Sequence, residues 1–451
     1  MTGCTVKELC AAVGGTLLQE SGAVVTEVST DSRSIPAGAL FVPLAGERFD
    51  GHDYLDAALN SGASGCLTAK EPTSLLKEKF YIQVSDTLAA LKALAAWYRA
   101  KFDVPMVQVT GSAGKTTTKE MIAVVLSQRF CTLKTQANFN NAIGTPLTLL
   151  NLAPAHQAAV IETGMNHFCE IRYLGEMVHP TIAVITNVGD AHIENLGGTR
   201  QGILQAKCEI FENLQPGGLA VLNGDDELLS GLALPFETVL CGRHERCGVR
   251  ITQMAEHGID GVTCTITTGR DVYDVTIPSP GAYMIYPAAM AIAIGEQLGL
   301  TKAEMLAGIA AYRPVGSRMH LVHPGGGRVI IDDCYNANPQ AMAEALRILA
   351  QTEYPRRMAV LGDMGELGDL TEQAHRDIGE LTCTLKLDTV VAIGPKAKAI
   401  CRANPDALWF PTVVEALSAI RAAFTPGTAV LVKASHAMHF TDIVKELEST
   451  E

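Results

Sequence analysis

The sequence predicts an α/β fold spread over three domains: a small mixed α/β N-terminal domain, a central parallel-sheet domain and a C-terminal doubly wound domain. Three observations predict it. The chain has 451 residues, too many for one ordinary hydrophobic core. Short apolar runs alternate with helical segments in two separate blocks, the pattern of parallel strands joined by helices. The first block alone carries a glycine-rich stretch between a strand and a helix, VTGSAGKTTTKE at 109–120.

Residues 1–84 mix short strands and turns, and Thr5 with Glu8 has the capping-box spacing of a short first helix. Helical patterning begins near 87 with LAALKALAAWYRAKF, and Pro105 ends it. MVQVT then reads as a buried strand, followed by the glycine-rich loop and the helix KTTTKEMIAVVLSQRF. Gly111 and Gly114 let the backbone approach a ligand, Lys115 can neutralise phosphate charge, and Thr116 can offer a hydroxyl to Mg²⁺. The helix N-terminus adds its own partial positive charge. Val109 stands where the longer GxxxxGK[ST] pattern has glycine, so the loop is the shorter GxxGKT.

The central domain, P-loop ATPase-like on this evidence, continues with buried strands AAVIE (158–162), TIAVITN (181–187) and GLAVLN (218–223). Residues 249–277 alternate with period two and suggest a small antiparallel insertion or edge. A helical stretch follows from about 287 to 311, and Pro314 with Gly316 marks a linker. The last third repeats the rhythm with VIIDD (329–333), MAVLGD (358–363), TVVAIG (389–394) and AVLVKAS (429–435), a Rossmann-like sheet without a phosphate fingerprint. The expected domains are therefore 1–84, 85–313 and 314–451.

Composition narrows the function. A net charge of −13 with no basic block argues against a general nucleic-acid or membrane-surface binder. Twelve scattered cysteines without a CxxC pair read as reduced thiols of a cytoplasmic protein. MTGCTVKELCAAVGG lacks the basic start and long apolar core of a signal peptide, and no apolar run reaches membrane-spanning length.

The candidate residues sit at strand ends, where open α/β sheets bind ligands. Glu162 ends AAVIE and can hold Mg²⁺; a solvated strand-end acid is the plainer alternative. His192 follows TIAVITN and can ligate a metal or contact phosphate, although a lone histidine is more often structural. Lys207 in TRQGILQAKCEIFENL reads, on sequence alone, as a surface lysine paired with Glu194 or Glu212. Asn140 and Asn141 fit either turn chemistry or ligand binding. In the last domain, Asp332 and Asp333 can meet ribose hydroxyls or metal, and Arg318 can reach across to a phosphate. Lys433, Ser435 and His436 close another strand end. Together these place polar groups on the carboxyl edges of two facing sheets, which suggests a nucleotide sandwiched between domains.

The set resembles the Mur ligase family. TGSAGKTTTK is similar to that family's short phosphate loop. TDSR (30–33) and LFVPLAGERFDGHDY (40–54) resemble its uridine-nucleotide-binding domain. AVIETGMNH, TNVGDAHIEN, AKCEIF and DDCYNANP follow in the family's order. NFNNAIGTPLTLL, YNANPQAM and LGDMGELG resemble the branch that adds D-alanyl-D-alanine to UDP-N-acetylmuramoyl-tripeptide.

The resemblance implies ATP and Mg²⁺ as cofactors, those two small-molecule substrates, no nucleic acid or membrane partner, and a monomer. It implies that Lys115 and the loop Gly111, Ser112, Ala113, Gly114, Thr116 and Thr117 hold the phosphates. Thr116 and Glu162 would hold one Mg²⁺, His192 a second metal, and Lys207 would act as a carbamylated lysine. Arg318 and Asp333 would contact nucleotide. Asp31, Ser32 and Arg33 would bind the UDP-sugar, with Asn140, Asn141, Asn336, Asn338, Lys433, Ser435 and His436 around the remaining substrate. A Mur-type ligase for another amino acid or peptide, or an ATPase switch, are the rival readings.

Three departures from the family pattern stand out. Tyr283, Met284 and Pro287 occupy the places of the usual adenine contacts. KASHAM puts Ala434 and His436 where glycine and arginine are usual. Met165 replaces a small residue.

Overall fold

The computed structural model describes residues 1–46, 49–190 and 193–449. Its centre is a nine-stranded sheet. Six strands, Thr132–Lys134, Ala158–Glu162, Met106–Thr110, Ile182–Ile185, Leu219–Asn223 and Glu237–Gly242, run parallel in that spatial order. The middle ones are buried from end to end, as expected for strands covered by helices on both faces. Val249–Glu256 joins parallel to the last of them, and Val262–Thr267 and Val272–Ile277 complete the edge antiparallel. The period-two segment is thus an edge of the main sheet.

One face of this sheet is covered by Lys115–Leu126 and Ile285–Gln297, whose Ile122, Val125, Ala289 and Ile292 share a core with Val109 and Val184. The expected single helical stretch at 287–311 is two helices. Gly299, at φ +77°, ends the first, and Thr301 with Glu304 forms a capping box that opens Lys302–Ala310. Pro287 lies in the first turn, where its missing N–H costs no helical bond.

The other face carries Thr87–Arg99, which stops ahead of Pro105. Its Leu91, Leu94 and Tyr98 pack on Ile161 below and on Leu40, Phe80 and Ile82 above. This helix is therefore a layer shared by the central sheet and the five-stranded N-terminal sheet, Thr16–Gln19, Phe80–Gln83, Gly65–Thr68, Leu40–Phe41 and Val28–Ser29. The Thr5–Glu8 capping box forms as read. Buried Arg99 donates to the carbonyls of Val178 and His179, closing the C-terminal end of Glu170–Val178.

The C-terminal sheet has six strands in the order His320–Gly325, Arg328–Asp332, Thr428–Lys433, Arg356–Gly362, Thr389–Ile393 and Leu408–Phe410. The first is antiparallel and the rest parallel. Helices Pro339–Ala350 and Thr371–Thr384 cover one face, and Val413–Ala423 and Thr441–Glu448 the other.

Candidate active site

The loop 111–114 links Met106–Thr110 to Lys115–Leu126 at the carboxyl edge of the central sheet. A Cβ on Gly111 would lie 1.9 Å from Thr186 Oγ1, so only glycine fits there. Gly114 adopts φ +76°, the left-handed turn that starts the helix. The neighbouring strand end clamps the loop. Thr186 Oγ1 donates to the Ala113 carbonyl at 2.6 Å, and Asn187 Oδ1 accepts from the Ala113 amide at 2.9 Å. The Ser112 amide donates to the Asn187 carbonyl. Those two amides are engaged within the protein, which corrects the expectation that every amide of the loop faces phosphate. The helix N-terminus from Gly114 to Thr117, which lines the adjoining cleft, is left to do so.

Behind the loop, Thr116 Oγ1 donates to Glu162 Oε2 at 2.9 Å, and Asn140 Nδ2 donates to Oε1 at 2.8 Å. Glu162 is buried, with Lys119 Nζ 3.8 Å away. An alcohol and a carboxylate in contact suit a hard cation that keeps water and phosphate oxygens as its other ligands. Among the described residues no group of three or more His, Cys, Asp and Glu forms a metal cage. Two hard oxygens with room beside them for phosphate fit Mg²⁺ bound together with its nucleotide. His192 lies outside the described residues.

Lys115 Nζ folds back onto the Gly111 carbonyl at 2.8 Å. Burial lowers its pKa, Glu162 opposes that shift, and Arg318 adds to it. Lys207 is only 2% exposed, and no hydrogen bond or ion pair holds its amine among the described residues. Burial pushes its pKa well down, and Lys115 pushes it further. The surface reading of Lys207 is therefore overturned. Glu212, its supposed partner, instead receives Arg172 at 2.8 Å.

The far wall comes from the linker and the C-terminal sheet. Arg318 faces the cleft with its guanidinium carbon 3.5 Å from the centre of the Tyr335 ring. Asp333 Oδ1 accepts from the Met319 amide at 3.1 Å, and Oδ2 takes the Lys433 ammonium at 2.5 Å. Burial raises the Asp333 pKa, and Lys433 opposes it. Both oxygens accept bonds from the protein, so Asp333 organises the linker while also lining the cleft. Lys433 also donates to the Asn336 carbonyl at 3.0 Å. Asn338 lines the cleft but caps Pro339–Ala350 through the Ala341 amide.

The cleft between these walls encloses about 400 Å³. Tyr283, Met284, Tyr286, Pro287, Ala345 and Ile348 are among the lining residues, apolar surface of the kind that accepts a flat base. Tyr286 donates to Asp225 at 2.9 Å.

Several predicted residues do not line this cleft. Asn141 turns its Oδ1 to the Ile143 and Gly144 amides and serves the turn. Ser435 accepts from the Gly365 amide at 2.8 Å. His436 stands edge-on to Tyr335 with ring centres 5.5 Å apart. Asp31, Ser32 and Arg33 form their own turn in the N-terminal unit. Arg33 pairs with Asp31 at 2.8 Å and holds the Asp31 carboxyl down at about 2. Sequence reading missed Thr186, Asn187 and Tyr335. Their signal was the polar run after each buried strand, TN and DDCY, whose side chains differ in direction only once folded.

A phosphate loop at a helix N-terminus, a Thr–Glu oxygen pair behind it and an arginine from a second domain across the cleft define a nucleotide-dependent phosphoryl-transfer protein with an interdomain site. Family descriptions match along most of the chain: the Mur ligase family catalytic domain at 24–99, the Mur ligase middle domain at 109–295 and the Mur ligase glutamate ligase domain at 317–436. The chain belongs to the Mur ligase family. It is 35% identical to the UDP-N-acetylmuramoyl-tripeptide–D-alanyl-D-alanine ligase of Bacillus subtilis, with 98% of each chain covered. It is 33% identical to that of Escherichia coli, with 99% of each covered. The fold matches a crystal structure of MurF from Acinetobacter baumannii with a TM-score of 0.92 at 31% identity, over the whole of both chains. It also matches MurF ligase from Thermotoga maritima in complex with ADP, TM-score 0.82 at 27% identity, over 94% of this chain and 97% of that one.

Proposed function

We propose that this chain is an ATP-dependent amide ligase that joins D-alanyl-D-alanine to UDP-N-acetylmuramoyl-tripeptide in peptidoglycan precursor synthesis. The observation that carries the chemistry is the meeting of Lys115 and Arg318 from opposite walls of one cleft, beside Thr116 and Glu162. Two cations facing each other form a site for a polyanion, and the groups behind them are those that phosphoryl transfer uses.

A carboxylate does not accept an amine directly, because oxide is a poor leaving group. Transfer of the γ-phosphoryl group of ATP to the tripeptide's terminal carboxylate forms an acyl phosphate and ADP. The free amine of D-alanyl-D-alanine attacks that carbonyl, loses a proton, and expels phosphate. Lys115 and the amides of Gly114 to Thr117 hold the β- and γ-phosphates, and Arg318 meets the transferred group from the far wall. Thr116 and Glu162 would hold Mg²⁺, which would supply charge neutralisation during transfer. Burial, and Lys115 nearby, favour the neutral amine of Lys207, the form that adds to carbon dioxide to give a carbamate and a released proton. The resulting anion would sit close to Lys115. Asn140, bound to Glu162, orients that carboxylate. Asp31, Ser32 and Arg33 receive the uridine nucleotide. Lys433 and Asn336, which line the cleft, flank the incoming dipeptide, with Ser435 and His436 just beyond the same strand end.

The working units are 1–84 for the uridine nucleotide, 85–313 for ATP and 314–451 for completing the site. One chain supplies both walls of the cleft, which favours a monomer as the active form. Free cysteines throughout and a need for ATP favour the cytoplasm. Among the described residues no helix is long and apolar enough to cross a membrane.

The test is phosphate release from ATP with each substrate omitted in turn. Release that needs both the UDP-tripeptide and D-alanyl-D-alanine supports the ligase. Equal release with neither would overturn it in favour of a nucleotide switch.

A further inference from the structure

Arg318 is held in an unusual way. No carboxylate pairs with its guanidinium, and no side-chain hydrogen bond engages it among the described residues. Its guanidinium carbon instead lies over the Tyr335 ring, 3.5 Å from the ring centre, too close for an edge-on approach and so stacked on its face. The backbone on either side is tied to the same short loop. The Tyr335 amide donates to the Ser317 carbonyl at 3.0 Å, and the Met319 amide donates to Asp333 Oδ1 at 3.1 Å. Gly316 at φ +63° and Met319 at φ +52° bracket the arginine, a tight local path that needs such ties. The Tyr335 ring also meets the His436 ring at a steep angle, with ring centres 5.5 Å apart.

We propose that Tyr335 is a positioning residue for the ligase reaction, a stacking platform that fixes Arg318 by its face and leaves the N–H edge of the guanidinium free for the transferred phosphoryl group. The physical reason is geometric. A carboxylate partner would occupy the same donors that bind phosphate, whereas an aromatic face attracts the cation without using them. The stack also limits rotation of a long side chain, so less freedom is lost when the phosphate arrives. This inference rests on the phosphate role given to Arg318 above.

The test is a double-mutant cycle at Arg318 and Tyr335, read as kcat and KM for ATP in the complete ligase reaction. Tyr335→Phe keeps the ring and is expected within about twofold of the parent, while Tyr335→Leu lowers kcat roughly 5- to 30-fold, the range of a partly desolvated cation–aromatic contact. KM for ATP changes little. In an Arg318→Ala background, Tyr335→Leu adds less than about twofold, because its effect runs through the arginine. Tyr335→Met serves the same arm if the leucine variant fails to fold. Multiplicative losses in the double variant, or a Tyr335→Phe variant as impaired as Tyr335→Leu, would overturn the platform role while leaving Arg318 on the phosphate. An Arg318→Ala variant with undiminished kcat would overturn the phosphate role itself, and this proposal with it.

Discussion

Thr116 and Glu162 are joined hydroxyl to carboxylate across 2.9 Å, one at a helix N-terminus and the other at the end of the neighbouring strand. The pair puts two hard oxygens behind the phosphate loop. Glu162→Gln removes the charge but can keep the shape and a hydrogen bond. We expect kcat to fall about 100-fold or more, since metal-assisted charge stabilisation is worth several kcal/mol. The Mg²⁺ concentration for half-maximal rate should also rise. A Mg²⁺ titration of the variant checks both, and an unchanged titration would remove Glu162 from the metal site.

Gly111 has no room for a side chain, because a Cβ would meet Thr186 Oγ1 at 1.9 Å and Thr186 is tied to Ala113. Gly111→Ala should cost roughly 1–3 kcal/mol of stability, the usual penalty of overpacking. It should weaken ATP binding as well, since the loop must shift. Adding Thr186→Ala removes the obstructing oxygen and should return part of the stability in thermal or denaturant unfolding.

Lys207 should behave as a liability for stability and a necessity for activity. Its folded pKa is depressed by burial, first, and by Lys115. Below the ordinary lysine value of about 10.4 the unfolded chain binds the proton more readily, so the residue's contribution to stability drops as pH is lowered, until the folded value is passed. Lys207→Met should therefore match or exceed the parent in melting temperature, with the gap widening as pH drops from 10 towards 7. Its activity should be lost, and bicarbonate should restore activity to a carbon-dioxide-depleted parent but not to the variant. A parent enzyme indifferent to bicarbonate would argue against the carbamate.

The sequence showed the phosphate loop because its function depends on local backbone: glycines, a lysine and a hydroxyl in fixed order. Glu162 was visible for a similar reason, as the last residue of a buried run. From its residues alone Lys207 reads as a surface lysine, although a clue to its burial is present. It falls four residues after Ile203 and three after Leu204, on the buried stripe of Arg200–Cys208, so the helical period already pointed inward. Asp333 and Asn338 were correctly brought to the cleft, but their oxygens hold the protein together, which depends on partners no local pattern reveals. The Tyr335–Arg318 stack links a linker to a strand-end loop of the C-terminal sheet and had no signal beyond proximity in the chain. The strands Thr132–Lys134 and Leu408–Phe410 escaped because three residues carry too little period to read.

Arg33 is exposed and, among the described residues, its guanidinium pairs with Asp31 of its own turn. Because that pairing lowers the Asp31 pKa to about 2, its contribution is complete above the ordinary aspartate range, about 4, and is lost as pH falls through about 2. The turn is thus preformed across the working range. Arg33→Ala should raise KM for the UDP-tripeptide roughly 5- to 20-fold, the worth of one charge-assisted contact, with kcat nearly unchanged. Steady-state kinetics varying that substrate alone measures it, and a fall in kcat with constant KM would place Arg33 elsewhere in the mechanism.

The central claim is that phosphate goes to a carboxylate before an amine displaces it. The direct measurement uses UDP-tripeptide labelled with ¹⁸O in its terminal carboxylate, with mass analysis of the inorganic phosphate released during ligation. The acyl-phosphate route predicts one labelled oxygen in each phosphate formed. Unlabelled phosphate from a reaction that consumes ATP would mean transfer to water, and would contradict the ligase mechanism.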